Sequence, residues 1–330
     1  MNGRAFKLGT FAKPDGKPFT AIVLDDTAID LGQAAAAYHG FGRKTLTTEA
    51  STQNPSIQDL LESWDANFAT LQEIVAFLDK DGARPGATPV KGLTPRPPVA
   101  RPGKMFYAAQ NFQEHVDEMI RAGMSPATGP KFTGEKSSTA PYLFLKAPSC
   151  LAGANDDIAV PSDVKKVDWE AEIACVIARR GKRIKGERAL DHVAGWMTTN
   201  DVSARDLQIR TDRPGLRSDW LNGKSHDKFA PMGPFLVPKA FVPNHMNLFI
   251  RLTLNGAVKQ NGNTSQFIFT PEEQIEYASN ILSLETGDIF VCGTCGGVGQ
   301  GTHTFINVGD VMETEVEGLG KMTNKFVAES

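Results

Sequence analysis

Three acids in two short stretches set the chemical question. Glu170 and Glu172 fall two apart in Asp168-Trp169-Glu170-Ala171-Glu172-Ile173-Ala174-Cys175-Val176-Ile177, and Asp201 closes Thr198-Thr199-Asn200-Asp201. Alternating acids followed by an apolar run read as a strand, and alternate residues of a strand share one face. Two carboxylates about 7 Å apart at the backbone, from a rise of about 3.3 Å per residue, invite a cation between them. With Asp201 added the donors are all oxygen, which suits a hard divalent ion such as Mg²⁺. A solvated edge of acids would show the same spacing, so spacing alone leaves both readings open.

A second group lies upstream. His115 and Glu118 stand three apart in residues 110–120, a helical stretch, where such residues share a face and can touch. A carboxylate beside an imidazole raises its basicity and fixes its orientation, which is how a general base is made. A surface ion pair has the same spacing. Further on, Gly223-Lys224-Ser225 sets a lysine on a loop, free to bind a carboxylate. It is not a phosphate loop, because Ser218 stands where that pattern needs glycine. Gly296, Gly297, Gly299 and Gly301 follow Gly293-Thr294, so the backbone there can approach a ligand closely. A dinucleotide fingerprint is not met, since neither a helix nor a ribose-binding acid is expected next. Cys292 and Cys295 have C-x-x-C spacing, but glycines follow them and no second Cys or His pair completes a zinc site.

These residues need a scaffold. The chain has 330 residues, 41% hydrophobic and 22% charged, which is globular composition and long enough for a sizeable core. A net charge of -3 gives no electrostatic reason to expect nucleic acid or an anionic membrane as partner. No run of 18 apolar residues and no apolar signal core are present, and four cysteines are too few for a disulfide scaffold, so a cytoplasmic setting is expected. The 31 glycines and 20 prolines favour turn-rich β architecture. Residues 4–11 and 20–24 read as strands around a turn at Pro14-Asp15-Gly16-Lys17, and residues 56–78 as one helix with a 3.6-residue apolar period. The Pro95-Arg96-Pro97-Pro98 cluster suggests a boundary, giving a small α/β domain over 1–98 and a larger one over 99–330. Residues 121–140 form a polar lid candidate, and Asn255-Gly256 marks a hairpin.

Together the motifs resemble the fumarylacetoacetate hydrolase family over roughly residues 104–318. Five signatures stand in the family's order: Asn111-Phe112-Gln113-Glu114-His115-x-x-Glu118, Asp168-Trp169-Glu170-Ala171-Glu172, Asn200-Asp201-Val202-Ser203-Ala204-Arg205-Asp206-Leu207-Gln208, Gly223-Lys224-Ser225, and Gly293-Thr294 with its glycine tail. The resemblance implies an α+β, strand-rich fold. Its catalytic domain would be a mixed β-roll or β-sandwich behind a small N-terminal domain. It implies Mg²⁺ or Mn²⁺, with Ca²⁺ admissible, on Glu170, Glu172 and Asp201. His115, Glu118 and Lys224 would be catalytic, and Arg205, Gln208, Lys224 and Thr294 would bind substrate. A homodimer acting on a small oxo acid is expected. The first expectation is hydrolysis of a C–C bond in a 2,4-dioxo acid of the acylpyruvate or fumarylpyruvate type, from aromatic or sugar-acid catabolism. The alternatives are an oxaloacetate-type decarboxylase or a 2-oxo acid hydratase or isomerase, and after these a non-catalytic binder of small acids.

Three positions qualify the resemblance. The prototype's fourth metal-ligating Asp, seven residues before the His, is Ala108 here, and its Gly-Thr-Pro-Ala-Gly tail reads Gly293-Thr294-Cys295-Gly296-Gly297. Asp168 shares strand parity with Glu170 and Glu172, yet the resemblance leaves it out of the metal shell and makes it a supporting acid.

Overall fold

The computed structural model describes residues 3–13, 16–40, 45–47, 54–82, 84–122, 135–213 and 215–329. The strand Ala171–Ile177 shows how its core is made. Every residue in it is buried. Ile173, Cys175 and Ile177 pack into one apolar cluster, and Ala174 and Val176 into another. A strand covered on both faces needs a near-continuous apolar run, and residues 173–177 supply it.

That strand is central to a mixed sheet of twelve strands among the described residues. From edge to edge the path is Thr88–Pro89, Thr27–Asp30, Pro18–Leu24, Lys7–Ala12, Ala230–Pro238, Val193–Asn200, Ala171–Ile177, Ile289–Val291, Met105–Ala108 and Leu143–Lys146, with Thr94–Arg96 and Leu151–Gly153 paired beside it. The first strand joins the later ones where Leu8 lies opposite Leu236, so residues on either side of position 98 share this sheet. A second sheet holds Ala257–Asn263, Phe249–Leu254, Val311–Val316, Gly320–Ala328 and Ile158–Val160. Ile250, Leu252, Met312 and Phe326 of the second sheet share a cluster with Ile173, Trp196 and Phe290 of the first. On the long sheet's other face, Leu60, Leu71 and Ile74 pack with Ala174, Met197 and Leu236. The architecture is α+β and strand-rich, as expected.

Local details depart from the sequence reading for identifiable reasons. Residues 56–78 form two helices, Ile57–Leu61 and Trp64–Asp81. Ser56 and Asp59 make a reciprocal capping box that starts the first. Buried Asn67 then donates to Leu60 O at 2.9 Å and Thr47 O at 2.8 Å, closing its end with a side chain that periodicity cannot see. Asn255 and Gly256 have φ of 51° and 80°, as a type I′ hairpin turn requires. Pro14 and Asp15 of the first turn, and residues 123–134 of the lid candidate, lie outside the described residues. Among the described residues no helix is long and apolar enough to cross a membrane.

Candidate active site

The acidic stretch is not one strand. Val167–Asp168 and Ala171–Ile177 are separate, with Trp169 and Glu170 between them. Side chains take the backbone donors there: Trp169 N bonds Asp168 Oδ1 at 2.7 Å, Glu170 N bonds Asn200 Oδ1 at 3.1 Å, and Ala171 N bonds Gln260 Oε1 at 2.9 Å. Asp201 N donates to Glu170 O at 2.9 Å, tying the two acidic stretches together. Despite the break, Glu170, Glu172 and Asp201 each offer an oxygen, and these lie within 4.8 Å of one another. All three residues are buried.

Buried carboxylates must be paired or they protonate. Lys224 Nζ donates to Glu170 Oε2 at 2.8 Å and Asp201 Oδ2 at 2.6 Å. Arg205 forks, with Nε on Asp168 Oδ2 at 2.7 Å and Nη2 on Glu170 Oε1 at 2.5 Å. Burial opposes ionisation of Glu170, yet Lys224 and Arg205 prevail and hold its carboxyl well below the usual range. Burial pushes Glu172 well up, and Asp201 and Glu170 add to this, while Gly293 N donates to its carboxylate. That contact is possible because Gly293 has φ of 108° and a Cβ there would lie 2.6 Å from Asn111 Cβ.

Asp168 is a supporting acid. Besides Trp169 N and Arg205 it accepts from Gly299 N at 2.6 Å and Gln300 N at 3.0 Å. These amides open a one-turn helix, Gly299–Thr302, where the sequence reading expected none. A run of glycines has poor helix propensity, and the buried carboxylate of Asp168 on the leading amides offsets that.

His115 and Glu118 do sit on one face of the helix Gln113–Arg121, with Nδ1 3.5 Å from Oε2. The imidazole is buried, and its Nδ1 makes no hydrogen bond. Both Glu118 oxygens accept from Gly297 N at 3.1 Å, and Gly301 passes so close that a Cβ would lie 2.3 Å from Glu118 Cδ. Glu118 therefore joins the helix to the glycine-rich loop as well as facing His115.

A cavity of about 520 Å³ is lined by Glu170, His115, Arg205, Gln208, Lys224 and Thr294, while Glu118, Glu172 and Asp201 are not among its lining residues. Thr294 differs from expectation in one respect. Its hydroxyl donates to Ala171 O at 3.0 Å and accepts from Gln260 Nε2 at 2.8 Å, so the proton assigned to substrate is spent on the wall. Asn111, read as part of a motif, is a clamp: its amide donates to Phe269 O at 2.8 Å and Cys292 O at 2.7 Å.

Sequence reasoning missed Lys146. Its buried Nζ donates to Asp201 Oδ1 at 2.8 Å, Val202 O at 3.1 Å and Phe229 O at 2.6 Å. A signal existed: in Leu143–Lys146 Phe144 is buried and Leu145 exposed, so strand alternation turns Lys146 inward. Tyr107 was missed as well. Its hydroxyl is fully buried without a hydrogen bond, and burial, then Asp201 and Glu172, push its pKa well up.

The donor set fits a hard divalent cation. Four buried acids, Asp168, Glu170, Glu172 and Asp201, face three cations, buried Lys146 and Lys224 and part-buried Arg205. Among the described residues no lysine or arginine pairs with Glu172, and burial, then Asp201 and Glu170, push its pKa well up, while burial also raises that of Asp201.

Comparison with known proteins gives the family. The family model described as fumarylacetoacetate (FAA) hydrolase C-terminal matches residues 104–327. The oxaloacetate tautomerase FAHD2A, mitochondrial, of Homo sapiens is 34% identical over 291 residues, 88% of this chain and 85% of that protein. The oxaloacetate tautomerase fahd2, mitochondrial, of Xenopus laevis is 38% identical over 232 residues, 70% of this chain and 67% of that protein. The crystallised fumarylacetoacetate hydrolase of Exiguobacterium antarcticum superposes with a TM-score of 0.73 at 25% identity, covering 98% of this chain and all of that one. Five signatures, one buried carboxylate set and a match across the catalytic region carry the same conclusion: the chain belongs to the fumarylacetoacetate hydrolase family.

Proposed function

We propose that the protein is a divalent-metal-dependent enzyme that interconverts the enol and keto forms of a 2-oxo acid, with oxaloacetate the first substrate to test. The observation that carries this is the cavity lined by both His115 and Glu170, the latter one of three carboxylates whose oxygens lie within 4.8 Å of one another. Relatives named oxaloacetate tautomerase favour this reading over the hydrolase expected first.

A cation held by Glu170, Glu172 and Asp201 would draw electron density from the 2-oxo group and so acidify the C-3 hydrogen. Lys224 and Arg205 neutralise and orient the substrate carboxylate. Gln208 offers an amide to the oxo group. His115 takes the proton from C-3 and delivers it to the C-2 oxygen, giving the enol, and the reverse transfer restores the keto acid. The same constellation supports hydrolysis of a 2,4-dioxo acid if His115 instead deprotonates water, a reading favoured by the structural likeness to a fumarylacetoacetate hydrolase.

The test follows the enol absorbance of oxaloacetate with Mg²⁺ or Mn²⁺, against the same metal without protein, with pyruvate release measured in parallel. The expected result is protein-dependent loss of enol that chelation abolishes. A rate equal to the protein-free control with both metals would overturn the proposal.

A further inference from the structure

The cavity changes character away from its acids. Its volume of about 520 Å³ falls in the range of sites that bury drug-sized ligands, more than a four-carbon acid needs. Beyond the charged floor it is lined by Phe144, Trp220 and Tyr142, the outer members of a ladder of rings that begins at buried Tyr107. Tyr107 stacks on Phe144 at 5.5 Å and 27°, Phe144 on Trp220 at 4.6 Å and 19°, and Trp220 leans on Tyr142 at 5.7 Å. Trp220 Nε1 lies 3.2 Å from Tyr142 Oη and donates to it, so one hydrogen bond joins the two rings. The ladder runs from fully buried Tyr107, beside Asp201 and Glu172, to Tyr142, which is 58% exposed. Met119, Ile209 and Phe269 extend the apolar lining.

Charge argues the same way. Among the described lining residues the lysine and arginine side chains are Lys224 and Arg205, and both are held at the acid floor, the end assigned to the substrate's 2-oxo acid head. A second carboxylate at the far end of a substrate would meet ring faces, which carry negative potential.

We propose that the site is built for 2-oxo acids whose end remote from the carboxylate is aromatic or otherwise apolar and seats against Trp220 and Tyr142. This rests on the oxo-acid reading above and names the tail that goes with that head. Oxaloacetate shares the head and the C-3 chemistry but lacks the matching tail.

Three inert ligands with one oxamate head separate the two ideas: oxamate itself, N-oxalylglycine with a carboxylate tail, and oxanilate with a phenyl tail. Their affinities for the Mg²⁺-loaded protein are measured by calorimetry. Oxanilate is expected to bind at least about tenfold tighter than oxamate, from burial of the ring, and N-oxalylglycine no tighter than oxamate. Trp220→Ala should bring oxanilate to within about threefold of oxamate, while Trp220→Phe keeps most of the difference. The ratio is read on folded protein, so partial unfolding of a variant does not mimic the effect. Oxamate binding with N-oxalylglycine tighter than oxanilate, or a ratio unmoved by Trp220→Ala, would overturn this inference alone. Absence of oxamate binding would sink the oxo-acid reading and this inference with it.

Discussion

The floor of the site and its helical wall are built on different terms. On the floor the carboxylates of Asp168, Glu170 and Asp201 are each bound by lysine, arginine or backbone donors at 2.5–3.0 Å. On the wall the His115–Glu118 contact is 3.5 Å, and the imidazole Nδ1 makes no hydrogen bond. Of the four acids Glu172 lies within a strand of the covered sheet, Glu170 and Asp201 adjoin the ends of its strands and Asp168 sits in a two-stranded ladder, whereas the wall is a nine-residue helix. A preorganised floor costs no reorganisation when charge develops, whereas a catalytic hydrogen bond on the wall can tighten when ligand arrives. The comparison predicts that floor substitutions affect stability as well as activity, and wall substitutions activity alone.

The largest effect should come from Glu170→Gln, which removes a metal donor and unbalances Lys224 and Arg205. Turnover of oxaloacetate enol should fall on the order of 10³-fold, and Mn²⁺ binding followed by electron paramagnetic resonance should weaken with it. Full activity with unchanged Mn²⁺ binding would show that the floor is not the metal site. His115→Ala should cost about 10²–10³-fold in kcat yet leave stability within about 1 kcal/mol. If it destabilised the fold as much as a floor substitution, the contrast between the regions would collapse.

Lys146→Met sharpens the contrast from the other side. It leaves Asp201 buried without one of its cations and should destabilise the protein by about 3–5 kcal/mol in urea unfolding. Glu118→Gln should lower kcat only ~10-fold, because the amide still reaches His115 and Gly297. Cys295 should show the smallest response. Burial pushes its thiol up to about 12, so below that pH it stays protonated and should resist iodoacetamide at pH 8 in the native state. Labelling at the rate of a free thiol, read by mass spectrometry, would show that the glycine-rich wall opens.

Much of the site was legible because its parts are local motifs with a chemical reason. Glu170 and Glu172 alternate, His115 and Glu118 share a helix face, and Lys224 sits between small residues. The strands around residues 105, 173 and 290 were legible from apolar runs, and the hairpin from Asn255-Gly256. The split of residues 56–78 was not, since buried Asn67 acts on Leu60 and Thr47 across a turn. Nor was the break at Glu170, where Asn200 and Gln260 take donors that a ladder would otherwise use.

By itself the sequence offered Glu170, Glu172 and Asp201 as candidate metal acids, His115 as candidate base and Arg205 and Lys224 as candidate cations, because residue type sets charge and spacing sets face. Only the tertiary structure decided how the charges balance. Lys146, 55 residues from Asp201, and Gly293, 121 residues from Glu172, become neighbours only when the sheet is assembled. Burial then shifts the acidity of these groups, raising Glu172 and Asp201 while Lys224 and Arg205 hold Glu170 low. The ring ladder is likewise a tertiary product, since Tyr107, Phe144 and Trp220 come from three elements whose packing no local pattern records.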